Sequence, residues 1–230
     1  MFKINTNGAL TTLYSFGTGP TPADGLNPTA GLVQGSDGNF YGTTPSTVFQ
    51  MTPAGVLTTL TTLDSGLGSQ SALVQDRDGN FYGTTYDGGT YGSNFGGYGT
   101  VFQISTNGAL TSLYSFTGGN GGANPSAGLV QGRDGSFYGT TSAGGQGGAG
   151  TVFRLAFVPE FQAVTLTNNL LNLTWSTEAG GTYQLQYTSD LSSGNWTNLG
   201  SAVTASGATL STTDSLTNGP QRFYRLVLLP

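Results

Sequence analysis

The 230-residue sequence contains no cysteine and no histidine. It therefore carries no disulfide, no thiol nucleophile, no Ser-His-Asp triad, and no zinc or haem site built on thiolate or imidazole. Lysine occurs once, at Lys3, and glutamate twice, at Glu160 and Glu178. Helices draw on Glu, Lys, Ala, Leu and Arg, so this poverty argues against a helical protein. Charged residues make up only 7% of the chain and the net charge is −5, a balance that disfavours nucleic acid and anionic membranes as partners. No apolar run approaches the length of a membrane-spanning helix. The opening residues MFKINTNGAL show no charged segment followed by an apolar one, so no secretory leader is legible there.

Glycine, threonine, serine and aromatic side chains fill the space left. Glycine alone accounts for 39 residues and aromatics for 11%. That aromatic content is enough for a β core, and it sets the chain apart from disordered sequences.

Repetition dominates the first two thirds. GNFYGTT at Gly38 to Thr44 returns at Gly79 to Thr85 and, as GSFYGTT, at Gly135 to Thr141. Each copy follows a Leu-Val-Gln and precedes a Val-Phe pair: Val48-Phe49, Val101-Phe102 and Val152-Phe153. A Thr/Leu segment comes next at Asn7 to Phe16, Ala54 to Leu63 and Asn107 to Phe116. The Val-Phe pairs recur after 53 and then 51 residues. The unit is thus four short strands, here called a (LVQG), b (NFYGTT), c (TVFQI) and d (LTTLYSF). Asp-Gly lies between a and b at Asp37-Gly38, Asp78-Gly79 and Asp134-Gly135, and Asn-Gly between c and d at Asn7-Gly8 and Asn107-Gly108. Such dipeptides supply the positive φ of tight hairpin turns. Four hairpin-linked strands at this period are the signature of a propeller blade.

Alternation places Phe40 and Tyr41 on opposite faces of strand b. In strand d it places Leu10, Tyr14 and Phe16 on one face and Leu13 on the other. A sheet apolar on both sides must lie between neighbours, so the units need one another. The third unit stops after strand c, at Thr151 to Leu155, whereas the N-terminus offers an unattached c and d. Strand Leu10 to Phe16 is a candidate to complete the third unit and close a ring; an open arc, a dimer of arcs, or a fragment of a longer array are the alternatives. The b–c connection varies most: Pro45-Ser46, then Tyr86 to Gly99, then Ser142 to Gly150. It reads either as a ligand-binding rim or as plain linker.

At these residues the chain resembles the GloVer tandem-repeat family of bacterial proteins, whose repeats read approximately GLVQGxDGNFYGTTxxGGxxGxGTVFxIxxxGxLTxLYSF. GLVQGSDGNFYGTT (Gly31 to Thr44), GLVQGRDGSFYGTT (Gly128 to Thr141) and GYGTVFQISTNGALTSLYSF (Gly97 to Phe116) carry the match. The second repeat departs from it at Ala72, Asp76 and Leu60 to Leu63. The resemblance implies exported, often cell-surface proteins with varied C-terminal anchors, and it implies no catalytic residues.

After Phe157-Val158-Pro159 the pattern changes. Leu171, Leu173 and Trp175 share one face, and Tyr183, Leu185 and Tyr187 alternate with polar residues, the one-sided burial of a two-layer sandwich. LTW, YQLQY and the closing RFYRLVL, with Trp175, Tyr183, Tyr187 and Tyr224 as core aromatics, resemble a fibronectin type III-like domain with one edge strand missing.

Candidate chemistry is sparse. Asp37, Asp78 and Asp134 recur and could ligate a metal, but their Asp-Gly setting explains them as turn residues. Asp76 to Asn80 lacks the alternating oxygen ligands of a calcium loop. Glu160 and Glu178 are the pair a hydrolase would need, and both lie outside the repeats. Tyr41, Tyr82 and Tyr138 recur and read as packing between blades, or as stacking platforms for sugars. The expectation is an all-β chain: residues 1–157 as a propeller-like array of three four-stranded repeats, and residues 160–230 as a small sandwich. It is expected to be no enzyme, to need no cofactor or metal, and to serve outside the cell or at its surface as a structural and interaction module. Its partner would be a protein or polysaccharide, with self-association through uncovered repeat ends; the alternative is a carbohydrate-binding module.

Overall fold

A computed structural model describes all residues except 18–22, 64–67, 70, 92–95, 133–134, 217–220 and 230. The chain is all-β and divides into two compact units, Met1–Gly132 with Phe137–Leu155, and Arg133–Ser136 with Ala156–Pro230. Among the described residues no helix is long and apolar enough to cross a membrane.

The first unit starts with a hairpin of β1 (Phe2–Ile4) and β2 (Leu10–Thr12). The first blade follows as β3 (Val33–Gln34), β4 (Phe40–Thr43), β5 (Thr47–Met51) and β6 (Leu57–Thr62), paired antiparallel in chain order. The second repeats it as β7 (Val74–Gln75), β8 (Phe81–Thr85), β9 (Thr100–Ile104) and β10 (Leu110–Ser115). The third has β11 (Val130–Gln131), β12 (Phe137–Thr141) and β13 (Thr151–Leu155). It is three-stranded rather than four-stranded, because the chain leaves the repeat after Leu155 and supplies no strand d. The propeller-like array is therefore a half-blade, two full blades and a blade without its outer strand.

The turns follow one plan. Gly38 N donates to Gly35 O and Gly35 N to Asn39 O, and the same pair of bonds recurs at Asp76 to Asn80, Asn5 to Ala9, Thr52 to Val56 and Ser105 to Ala109. This is a three-residue loop whose glycine alone turns left-handed: φ is +83° at Gly38 and at Gly79, whereas Asp37 and Asp78 stay at ordinary φ. Strand b carries glycine for a different reason. The Phe49 ring crosses Gly42, where a Cβ would sit 2.5 Å from it, and Phe102 and Phe153 cross Gly83 and Gly139 in the same way.

The faces then stack. Tyr41, Val48 and Leu63 of the first blade close a core with Leu73, Phe81, Phe102 and Ile104 of the second. Tyr82, Val101 and Phe116 do the same with Leu129, Phe137, Phe153 and Leu155 of the third. Two-sided burial is what the alternation in strand b requires. Strand d departs from simple alternation: the ladder slips at Leu60 in β6 and at Leu113 in β10, and this bulge turns Leu60 toward the same core as Leu63. Glutamines of strand a join neighbouring turns, Ser36 N donating to Gln75 Oε1 (2.8 Å) and Gln131 Nε2 to Asp76 Oδ1 (2.5 Å).

The N-terminal hairpin does not complete the third blade. β2 pairs with β1 and β13 with β12, and the hairpin rests on the first blade, with Phe16 against Phe49 at 5.2 Å and Leu13 O beneath Gly55. Phe16 thereby repeats the place of Phe116, which meets Phe153 at 5.0 Å.

In the second unit, β14 (Phe161–Thr167), β15 (Leu170–Ser176) and β19 (Thr209–Ser215) form one sheet. β16 (Thr182–Thr188) pairs along one edge with β17 (Thr197–Asn198) and β18 (Val203–Thr204), and along the other with β20 (Phe223–Leu229). Leu171, Leu173 and Trp175 of one sheet and Tyr183 and Leu185 of the other are buried in one core, which makes the unit a small sandwich. The β14–β15 turn is Asn168-Asn169, both left-handed at φ 50° and 62°, the two-residue hairpin geometry that asparagine tolerates.

Candidate functional site

Antiparallel order puts the b–c loops and the d–a connections at one end of every blade. Each b–c loop is closed at its base by the same pair of hydroxyls. Thr44 and Thr47, Thr85 and Thr100, and Thr141 and Thr151 lie with their Oγ1 atoms 2.8 Å apart. Thr44, Thr85 and Thr141 Oγ1 also accept the backbone N–H of their partners, at 3.0, 3.1 and 2.9 Å. The clasp explains two recurrent sequence features, the second Thr of FYGTT and the Thr of TVF. It also explains how the loops between them differ in length while the strands keep register.

The loop of the second blade is the distinctive one. Tyr86, Tyr91 and Tyr98 are 38%, 51% and 36% exposed. Tyr86 and Tyr98 are tied side by side by Asn124, from the connection between the second and third blades: its backbone N–H donates to Tyr98 O (2.8 Å) and its Nδ2 to Tyr86 O (3.0 Å). Asn124 Nδ2 also reaches Asp87 Oδ1 at 3.3 Å, and burial raises the Asp87 carboxyl above its ordinary range. Gly118 lies against the Tyr98 ring, where a Cβ would be 2.8 Å from ring carbons. The third loop joins the same knot, Ser142 N donating to Asn124 O and Ala143 N to Ala123 O. Neither the first nor the third loop carries an aromatic residue, so the repeat itself does not demand these tyrosines. Exposed aromatic rings of this kind suit flat apolar faces and hydroxyls.

The repeat tyrosines lie elsewhere. Tyr41 and Tyr82, 0% and 4% exposed, stack on Phe81 and Phe137 with centroids 4.0 and 4.5 Å apart. Their rings face protein, not solvent; Tyr138 is 36% exposed. Tyr41 Oη donates to Asp37 Oδ2 (2.8 Å) and accepts from Gln50 Nε2 (2.8 Å), and Tyr82, Asp78 and Gln103 repeat the arrangement. Burial, reinforced by the bond to Asp37, pushes the Tyr41 phenol up to about 12. Burial pushes the Asp37 carboxyl up, but the bonds from Tyr41 and Asn39 outweigh it and leave the group below its usual range. Asp37 and Asp78 are thus turn residues that anchor a tyrosine; Asp134 lies outside the described residues. Among the described residues no three carboxylates gather as a metal site.

Glu160 and Glu178 stand near the same end of the β14–β15 hairpin, where Ser176 N donates to Glu160 O. Sequence reasoning located the long loops but not Tyr86 and Tyr98 as a pair, because the clamp comes from Asn124, 38 residues beyond Tyr86. It also missed a cavity of about 200 Å³ between β10 and β13, walled by Tyr114, Phe116, Phe153 and Arg154 among others.

A family model described as the Gloeobacter/Verrucomicrobia repeat matches residues 45–195. No curated protein matches the sequence. Among solved structures the chain is similar to virginiamycin B lyase from Staphylococcus aureus, at 14% identity and a TM-score of 0.46, over 75% of this chain and 54% of that one. It is also similar to an extracellular domain ascribed to a one component system of B. thetaiotaomicron, at 12% identity and a TM-score of 0.41, over 99% of this chain and 33% of that one. The chain thus spans about half of the first and about a third of the second. The expectation of a non-enzyme is corrected here: the solved structures to which the chain is similar include a lyase. At that identity the lyase activity does not carry over.

Proposed function

Because the chain belongs to the Gloeobacter/Verrucomicrobia repeat family, we propose that it acts outside the cell or at its surface as an interaction scaffold that presents b–c loops from stacked blades. The observation that carries this reading is the threonine clasp, which fixes the base of each loop and leaves its length and content free. The array over 1–157 is the presenting domain, and the sandwich over 160–230 is its spacer or attachment unit. A fibronectin type III-like identity for the sandwich is supported by its two sheets and by the pairing of β16 with β20.

The test replaces Tyr86 to Gly99 by the Pro-Ser of the first loop, keeping Thr85 and Thr100. Fluorescently labelled chain is then titrated onto cell-envelope fractions from a verrucomicrobial culture. Saturable binding that the shortened loop abolishes, with the far-ultraviolet spectrum unchanged, supports the reading. Equal binding by both forms, or none by either, overturns it.

Carbohydrate is the second reading, and exposed Tyr86, Tyr91 and Tyr98 favour it. Tyr138 is the repeat tyrosine that joins them as a stacking candidate. A glycan array probed with the intact chain and with Tyr98→Ala separates the two: sugar binding lost in the variant supports carbohydrate, and an array without signal removes it.

A further inference from the structure

Each internal blade shows what its faces require. Val48 and Val101, at 0% and 1% exposure, are covered by the blade that follows. At the same strand c position in the third blade, Val152 is 79% exposed, and beside it Val130 is 66% exposed where Val33 and Val74 are partly buried against the cores. The third blade therefore shows to solvent the apolar face that its two predecessors bury.

The matching face is at the other end of the array. In the two internal interfaces, the residues that meet this valine face from strand c are Phe102 with Ile104, and Phe153 with Leu155. Phe2 and Ile4 hold the same positions in β1, as the register shows: Ile4 pairs with Leu10 as Ile104 pairs with Leu110. They are 67% and 59% exposed. One chain thus carries the valine face and, in Phe2 and Ile4, the strand c part of the surface that meets it in both internal interfaces; the part from strands a and b, Leu73 with Phe81 and Leu129 with Phe137, is not supplied by the β1–β2 hairpin.

We propose that the valine face of the third blade, Val130 and Val152, takes the N-terminal hairpin of a second copy of this chain, with Phe2 and Ile4 seated on it. The contact joins two different surfaces, so it propagates head to tail until a ring closes or an open chain grows. The association uses the sheet face that carries Tyr138, paired with Val130, and not the loop tyrosines Tyr86, Tyr91 and Tyr98.

Sedimentation of the full chain, from micromolar to submillimolar, tests this with Val152→Asp and Phe2→Asp. Both positions are exposed within one chain, so each variant is expected to keep the β spectrum; if Val152→Asp does not, Val130→Asp replaces it, and Ile4→Asp replaces Phe2→Asp. The natural chain is expected to gain mass with concentration. Each variant alone is expected to associate at least about tenfold more weakly, since the contact would bury an unpaired carboxylate. An equimolar mixture of the two variants retains one intact hairpin and one intact valine face, and is expected to stop at dimers. A natural chain that stays monomeric, a single variant that associates as well as the natural chain, or a mixture that stays monomeric overturns the proposal.

Discussion

The ring of Tyr41 lies on the ring of Phe81 with planes 29° apart, and the two residues belong to different blades. Tyr82 and Phe137 reproduce the pair one blade on, at 28°. Burial of large aromatic faces is the main source of stability available to a chain with so few charges. Phe137→Ala is expected to cost about 3–5 kcal/mol in denaturant unfolding, as for other fully buried phenylalanines. A loss below about 1 kcal/mol would be that of a surface residue.

The threonine clasp predicts a different signature. Thr85→Val keeps the shape but strips Thr100 N–H and Oγ1 of a buried partner. The expected cost is about 1–3 kcal/mol. Hydrogen exchange is expected to speed up at Thr100 and in the loop before it, with the first blade unchanged; a change spread evenly over all blades contradicts the clasp.

Two glycines with the same turn geometry separate backbone strain from close packing. Gly8 and Gly108 have φ of +80° and +89°. A Cβ at Gly8 meets nothing within 4 Å, but at Gly108 it would be 2.5 Å from Leu60 O in the preceding blade. Gly8→Ala is expected to cost about 1–2 kcal/mol, the left-handed penalty alone. Gly108→Ala must cost more, because backbone cannot move aside as a side chain does. Equal costs by thermal or denaturant unfolding would mean that the blades do not approach there.

Alkaline pH is expected to destabilise the array and the sandwich across one window. The Tyr41 phenol is raised from 10.0 to about 12, by burial first and by Asp37 second. A raised group contributes stability that is fully present below pH 10 and lost as pH climbs through about 12. Tyr224 in the sandwich, also raised to about 12 by burial and by its bond to Asp214, adds to the same slope. Stability measured against pH is expected to fall across that window, and Tyr41→Phe to remove part of the fall. An unchanged slope in that variant contradicts the assignment.

Much of this architecture was legible in the residues. LVQG, NFYGTT, TVFQI and LTTLYSF become β3 to β6 and again β7 to β10, and Leu171, Leu173 and Trp175 become the core of the sandwich. The missing fourth strand of the third blade was visible in the sequence after Leu155. The resting place of the N-terminal hairpin was not, because the pattern of Leu10 to Phe16 suits either a ladder with β13 or a face against β5; Phe16 meeting Phe49 decides it. The alternation of strand d misled for a physical reason: a bulge at Leu60 shifts parity, and nothing local announces it. The repeat tyrosines pointed to packing and to stacking alike, since a two-sided sheet gives both faces the same residues. The exposed pair Tyr86 and Tyr98 depends on a clamp by Asn124, and a contact so distant in sequence leaves no periodic trace.

A double-mutant cycle on Tyr41 and Phe81 tests interlocking blades most directly. Tyr41→Ala, Phe81→Ala and the double variant are unfolded in denaturant, and the coupling is the part of the two losses that does not add. Rings stacked across a blade boundary are expected to couple by about 0.5–1.5 kcal/mol. Losses that add with no coupling would show that the two rings do not meet and that the blades stand without one another.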